Sequence, residues 1–148
     1  MAEVVFNETA AAEELSVISD SAGTGSWHVG QDMDRRAKFA LLNSGYNPKG
    51  HRAKQFDPNF LNDRELILAL DREHLHDLRK IDKNYNHGRA YDKIVLLMDF
   101  DKESNSDFVP DPYYGDEGDF KYALSLIESA IRGLMVSLKQ LRLNKVRD

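Results

Sequence analysis

Two continuous apolar segments constrain the fold of this chain more than any other feature of its sequence. RELILAL at 64–70 and KIVLLMDF at 93–100 flank the polar, amphipathic segment DREHLHDLRKI. Strands with one exposed face alternate apolar and polar side chains, whereas uninterrupted apolar strands are buried on both faces of a parallel sheet. Parallel neighbours need a crossover, and a helix between these segments supplies a right-handed one. The sequence therefore predicts a three-layer α/β fold, with helices on both faces of a small parallel sheet.

Further helices and one more strand follow from hydrophobic spacing and from capping residues. Residues 2–14 predict a helix, and LSVISDSAGT predicts a short strand that ends in a glycine-bearing turn. The next helix is capped by Asp32 or Asp34 and ends at Gly45. Apolar residues keep helical spacing from 120 to 141, which predicts a long C-terminal helix.

Length and composition exclude several classes of function. A chain of 148 residues predicts one domain, 1–148. Its formal net charge of -5 argues against a nucleic-acid partner, which needs a basic surface, and against an anionic membrane surface. No apolar run is long enough to span a bilayer and no basic signal sequence is visible, so we expect a cytoplasmic protein, with secretion by a signal-less route left open.

Cysteine is absent from the sequence. The chain therefore has no disulfide, no thiolate metal site and no cysteine nucleophile. No residue pattern predicts a metal site or a cofactor, and the oligomeric state is left open.

The segment VPDPYY is the strongest candidate for a functional loop. Two prolines fix the backbone on either side of Asp111, and Tyr113 and Tyr114 follow at once. The loop comes after the last predicted strand, where α/β proteins place their chemistry. From the loop alone, an Asp111 that only organises a turn is the favoured interpretation.

Five segments resemble the low-molecular-weight protein-tyrosine phosphatases, in particular bacterial, actinobacterial members. They are MAEVVF, SAGTGSWHVGQDMDRRA, GHRAKQF, ILALDREHLHDLR and VPDPYYGDEGDF. The resemblance implies a flavodoxin-like, phosphotyrosine phosphatase I-like fold with a four-stranded parallel sheet. It also implies hydrolysis of phosphotyrosine through a cysteinyl-phosphate, with tyrosine-phosphorylated proteins as partners. The nucleophile belongs to a C-x5-R-S loop after the first strand, and members commonly continue P-M-A-E.

This chain departs from that pattern at its start, because it begins at M-A-E. The first strand and the nucleophile loop are absent, so we expect an N-terminally truncated domain that is inactive and folds poorly alone. A start codon assigned too late, a genuine truncation and a non-catalytic relative are three explanations. In the last case the fold would be a regulatory remnant that binds a phosphoprotein or an anion.

The resemblance assigns roles to residues that the chain retains. Asp111 matches the general acid that protonates the leaving phenolate. Tyr113 and Tyr114 would line one side of a slot for the aryl ring, Trp27 would line the other, and His28 would lie at its rim. For Trp27 a half-buried surface anchor is an equally good interpretation.

Three further residues resemble supporting groups. Ser21 and His51 match residues that hold the phosphate-binding loop, and without that loop we expect them to be structural. Asp71 matches an aspartate near the site, but its position before a helix favours an N-cap.

Overall fold

The fold is described by a computed structural model that covers the backbone of residues 1–145. Five α-helices, two strands and two 3₁₀ turns follow one another in this part of the chain. In chain order they are α1 Ala2–Ala12, α2 Arg35–Asn43, α3 Phe60–Asp63, β1 Ile67–Ala69, α4 Arg72–Tyr85, a 3₁₀ turn Tyr91–Lys93, β2 Ile94–Leu96, a 3₁₀ turn Leu97–Phe100, and α5 Glu117–Lys145.

The predicted strand–helix–strand unit is confirmed. Strands β1 and β2 pair in parallel, with Ile67 opposite Ile94 and Ala69 opposite Leu96, and α4 connects them. The side chain of Asp71 accepts a hydrogen bond of 2.7 Å from the amide of His74, so it caps α4 at the end of β1. This is an α/β arrangement with a small parallel sheet, as the two apolar segments predicted.

Both strands are shorter than the apolar segments that predicted them. Instead of continuing to 100, the second segment leaves the sheet after Leu96 and turns into a 3₁₀ helix. The carboxylate of Asp99 causes this turn, because it accepts a hydrogen bond of 3.1 Å from the amide of Leu96. A side chain that bonds the backbone locally competes with the sheet ladder.

The strand predicted in LSVISDSAGT is wrong. Residues 15–22 run without regular secondary structure, since the sheet of the described chain contains only β1 and β2. The side chain of Asn7 takes the place of a neighbouring strand: its Oδ1 accepts from the amide of Ser19 at 2.7 Å, and its Nδ2 donates to the carbonyl oxygen of Ser19 at 2.9 Å. Ile18 in this segment is 93% exposed.

The long helix α5 organises the larger hydrophobic core. Its buried side chains pack against α1, α2 and the turn after β2, and they are Phe120, Ala123, Leu124, Ile127, Ala130, Ile131, Leu134 and Met135. Its other face is mostly polar but also exposes Tyr122, Val136, Leu141 and Leu143. None of the helices within 1–145 combines the length and the apolar composition that crossing a bilayer requires.

One glycine sets the distance between α5 and the turn after β2. A Cβ atom on Gly133 would lie 1.9 Å from the carbonyl oxygen of Phe100. The backbone of the turn therefore packs directly on the backbone of α5, which only a residue without a side chain allows.

Candidate functional site

The loop that carries Asp111 is fixed to the carboxyl end of β1. Val109, which is buried, donates its amide to the carbonyl oxygen of Leu70 at 2.8 Å. Two residues further on, Oδ1 of Asp111 accepts a hydrogen bond of 3.0 Å from the amide of Tyr113. The aspartate thus organises a turn, as the loop alone predicted, while its side chain is exposed and its Oδ2 makes no hydrogen bond to the described residues.

A second anchor of this loop, Arg36, was missed by sequence reasoning. Its Nη1 donates to the carbonyl oxygen of Gly115 at 2.8 Å, and its Nη2 donates to that of Tyr113 at 2.9 Å. The guanidinium also lies 4.6 Å from the ring centroid of Phe120. Nothing in the sequence around α2 indicates that its second residue reaches a loop 77 positions away.

Asp34 holds Arg36 in the orientation that this anchoring needs. Its carboxylate caps α2 by accepting from the amide of Arg36 at 2.8 Å, and its Oδ2 pairs with Nη2 at 2.9 Å. The side-chain hydrogen bond to Arg36 lowers the pKa of Asp34 below its usual value. The carboxylate therefore stays ionised and keeps the guanidinium in place. The cap was predicted as Asp32 or Asp34, and the structure selects Asp34.

The predicted aromatic residues form one ring cluster and one separate side chain. Tyr113 lies between its neighbours: its ring centroid is 5.0 Å from that of Tyr114, edge to face, and 6.2 Å from that of His28. Tyr114 is 97% exposed. Trp27 is 79% exposed and folds over Gly25, where a Cβ would lie 2.6 Å from the indole ring. His28 therefore belongs to the ring cluster of the tyrosines, whereas Trp27 packs on Gly25.

Ser21 and His51 meet at the first turn of α1. The Ser21 hydroxyl donates to Oε2 of Glu3 at 2.5 Å, and Nδ1 of His51 lies 3.4 Å from the same oxygen. All three side chains are partly buried. Glu3 is a second residue that sequence reasoning missed. Its position in the first turn of a helix, where acids are common, is a weak signal.

Asp71 belongs to α4 rather than to either of these clusters. It caps the helix, and its Oδ2 lies 2.8 Å from Nδ1 of His74. The structural interpretation that the sequence favoured for this residue is therefore confirmed. The two clusters that remain, Glu3–Ser21–His51 and the loop held by Arg36, contain carboxylates, a hydroxyl and imidazoles but no thiol.

Comparison with known proteins gives a consistent result. The family model described as low molecular weight phosphotyrosine protein phosphatase matches residues 1–145. The low molecular weight protein-tyrosine phosphatase A of Mycobacterium tuberculosis is 40% identical, over 90% of this chain and 80% of the relative. The low molecular weight protein-tyrosine-phosphatase of Streptomyces coelicolor is 36% identical, over 95% and 85%.

Solved structures show the same fold. The crystal structure of YfkJ from Bacillus subtilis matches with a TM-score of 0.84 and 31% identity, over 94% of this chain and 85% of that chain. A protein tyrosine phosphatase from Entamoeba histolytica, crystallised with Hepes in its active site, matches with a TM-score of 0.88 and 27% identity, over 95% and 88%. With a family match over 145 of 148 residues and no cysteine among them, this chain belongs to the low molecular weight phosphotyrosine protein phosphatase family of hydrolases but lacks the nucleophile of that chemistry.

Proposed function

We propose that Asp111 is the general acid of a phosphotyrosine phosphatase site. The observation that supports this role is the double anchoring of its loop, by Val109 on Leu70 and by Arg36 on the two carbonyl groups that follow. An acid that is held in position contributes more to proton transfer than one on a mobile loop. Its Oδ2 has no hydrogen bond to the described residues, so one carboxyl oxygen is available for the substrate.

In the reaction, a cysteine thiolate is the nucleophile and Asp111 transfers the protons. Attack of a cysteine thiolate on phosphorus breaks the bond between phosphorus and the phenolic oxygen. The leaving phenolate, whose conjugate acid has a pKa of about 10, takes the carboxyl proton of Asp111. The carboxylate then removes a proton from the water that hydrolyses the phosphocysteine. This chain contains no thiol, so we expect it to show no aryl-phosphatase activity by itself.

The substrate class follows from the ring cluster beside Asp111. The ring centroids of His28 and Tyr113 lie 6.2 Å apart with the rings tilted, and the exposed Tyr114 packs edge to face on Tyr113. Aromatic faces pack well against a phenyl ring. We infer that this surface receives the aryl group of phosphotyrosine in tyrosine-phosphorylated proteins.

Ser21 and His51 have a positioning role in this proposal. Both hold the carboxylate of Glu3 in the first turn of α1, and Asp71 caps α4 without taking part. A fixed start of α1 orients its amides towards an anion, because the positive end of the helix dipole lies there.

A fusion protein tests the role of Asp111. The first strand and C-x5-R-S loop of a family relative are placed before Met1, and turnover of phenyl phosphate and p-nitrophenyl phosphate is measured. Asp111→Asn is expected to lower kcat for phenyl phosphate by about 10²–10⁴-fold. The loss on the nitrophenyl ester is expected to be much smaller, because its leaving group needs less protonation. Glu103→Gln, at an exposed carboxylate of the same loop, is the matched control.

Two results would contradict the proposal. Equal losses for Asp111→Asn and Glu103→Gln would contradict a specific role of Asp111, as would equal losses on the two esters. A folded fusion that binds a phosphotyrosine peptide and hydrolyses neither ester would favour the non-catalytic binding module instead.

A further inference from the structure

The loop that carries Asp111 is attached to the fold at both of its ends. At its start, the amide of Val109 is bonded to the carbonyl oxygen of Leu70, just after β1. At its end, the amide of Asp116 donates a hydrogen bond of 2.8 Å to the carboxylate of Asp119 in the first turn of α5. The residues between these two attachments need a contact of their own if the loop is to keep one shape.

Arg36 supplies that contact. Within residues 1–145, no other side chain from outside the loop bonds a backbone group between its two attachments. The remaining hydrogen bonds there are internal: the amide of Gly115 donates to the carbonyl oxygen of Pro112 at 2.8 Å, and the amide of Tyr113 donates to Asp111. The placement of Asp111 therefore depends on the two carbonyl groups that Arg36 holds.

The guanidinium of Arg36 is itself fixed before any substrate binds. Its Nε donates to Oδ1 of Asp34 at 3.2 Å, its Nη2 donates to Oδ2 of the same carboxylate at 2.9 Å, and the ring of Phe120 packs against it. Together with the two bonds to the loop, the group makes four hydrogen bonds with its five N–H donors. A direct role in binding a phosphate group is therefore disfavoured, and a role in placing the loop is favoured.

The pair formed by Arg36 and Asp34 is too exposed to contribute much stability. The two side chains are 35% and 32% exposed, and ion pairs near the surface usually contribute little to the free energy of unfolding. Proton transfer is more sensitive, because the acid must lie within hydrogen-bond distance of the phenolic oxygen, and a displacement of about 1 Å can lower a rate about 10²-fold. The same contacts therefore have a larger effect on catalysis than on folding.

We propose that Arg36 is a positioning residue for the general acid. It holds the loop so that the carboxyl group of Asp111 reaches the phenolic oxygen of the substrate, and Asp34 orients the guanidinium for this task. Arg36 acts through Asp111 and not by contact with the substrate. This inference rests on the proposed function, and it adds the start of α2 to the groups on which proton transfer depends.

The fusion protein that tests Asp111 also tests Arg36, with urea unfolding to confirm that each variant is folded. Arg36→Ala is expected to lower kcat for phenyl phosphate about 10²-fold with KM unchanged, and to affect the nitrophenyl ester much less. Arg36→Lys is expected to give most of this loss, because an ammonium group does not reproduce the planar fork. Arg35→Ala is the matched control, since it removes the same charge from the adjacent, exposed residue, and it is expected to leave both rates unchanged.

A double variant separates positioning from a general structural role. In an Asp111→Asn background, Arg36→Ala is expected to cause no further loss on phenyl phosphate, because no acid is left to position. A further loss of the full size, equal losses on the two esters, or equal effects of Arg36→Ala and Arg35→Ala would overturn the inference. Should Arg36→Ala not fold, Arg36→Lys is judged by the same criteria. Equal losses on the two esters for Asp111→Asn alone would contradict the proposed function itself, so the two failures are distinguishable.

Discussion

The guanidinium of Arg36 donates a 2.9 Å hydrogen bond to the carbonyl oxygen of Tyr113. A second hydrogen bond runs from the same guanidinium to the carbonyl oxygen of Gly115. The two bonds join the N-terminus of α2 to the loop on both sides of Tyr114. Because one side chain crosses between two elements far apart in sequence, the geometry of the loop that carries Asp111 depends on α2.

Replacing Arg36 is expected to loosen the Asp111 loop without unfolding the protein. In Arg36→Ala we expect the amides of Tyr113 and Gly115, which are bonded within the loop, to exchange with solvent about tenfold faster. Arg36→Lys is expected to give most of the same effect, since an ammonium group cannot reproduce the fork that holds two carbonyl oxygens. Hydrogen exchange followed by NMR measures this, with the amide of Leu78 in α4 as internal reference. Unchanged rates at Tyr113 would show that the loop is held without Arg36.

The ion cluster of Asp20 predicts a loss of stability in acid. Its hydrogen bond to Arg64, with a further one to Lys54, lowers the pKa of Asp20. The folded state therefore favours the carboxylate, and the stabilisation is present above the ordinary pKa of about 4 and is lost as pH falls below it. Asp20→Asn is expected to be less stable than the unmodified chain at pH 7, with the gap closing in strong acid. Urea unfolding at several pH values measures this. The exposed Glu65→Gln is the control, and an equal gap for that variant would contradict the prediction.

Tyr46 predicts a loss of stability at the alkaline end. Burial, together with a hydrogen bond of 3.0 Å to Glu128, raises the pKa of Tyr46 to about 12. The folded state holds the phenolic proton more tightly than the unfolded chain does. This contribution is complete below about pH 10 and is lost as pH rises towards 12. Ultraviolet titration of tyrosinate should show a late-ionising group that Tyr46→Phe removes and that Tyr85→Phe, at an exposed position, leaves in place.

We expect replacement of Gly133 by alanine to destabilise the protein, although alanine favours a helix more than glycine does. Alanine in a helix interior gains about 1 kcal/mol over glycine. The new methyl group would lie 1.9 Å from the carbonyl oxygen of Phe100, and overpacking of this kind costs about 1–3 kcal/mol or more. Gly133→Ala is therefore expected to lower the free energy of unfolding, as measured by urea denaturation. Lys121→Ala, on the exposed face of α5, should change it little.

The sequence predicted those parts of the fold that depend on local pattern. Continuous apolar runs identified β1 and β2, and the spacing of apolar residues identified α5. The prediction of a strand in LSVISDSAGT was wrong for a non-local reason. Side-chain pattern can favour extended backbone, but a strand also needs a hydrogen-bonded partner strand. In the described chain Asn7 satisfies Ser19 instead. The end of β2 at Leu96 was not predicted, because the apolar run continues past it and the local hydrogen bond from its amide to Asp99 was not anticipated.

The candidate site was predictable where residues are contiguous and not where they converge. Asp111, Tyr113 and Tyr114 form one short segment, so their proximity follows from the sequence. Arg36 and Glu3 reach their partners through tertiary packing, and no pattern of neighbouring residues indicates those contacts. The catalytic and binding roles of these residues stay predictions that the fusion protein tests.

The side-chain amide of Asn7 bonds both the N–H and the carbonyl group of Ser19, as a neighbouring strand would do. A side chain of α1, and not a ladder of strand hydrogen bonds, therefore fixes the position of this segment along the chain direction. The segment cannot shift by two residues as a paired strand could. Because Asn7 lies in α1, a displacement of that helix would carry Ser19 with it. The placement of the extended segment is thereby coupled to the packing of α1 on α5.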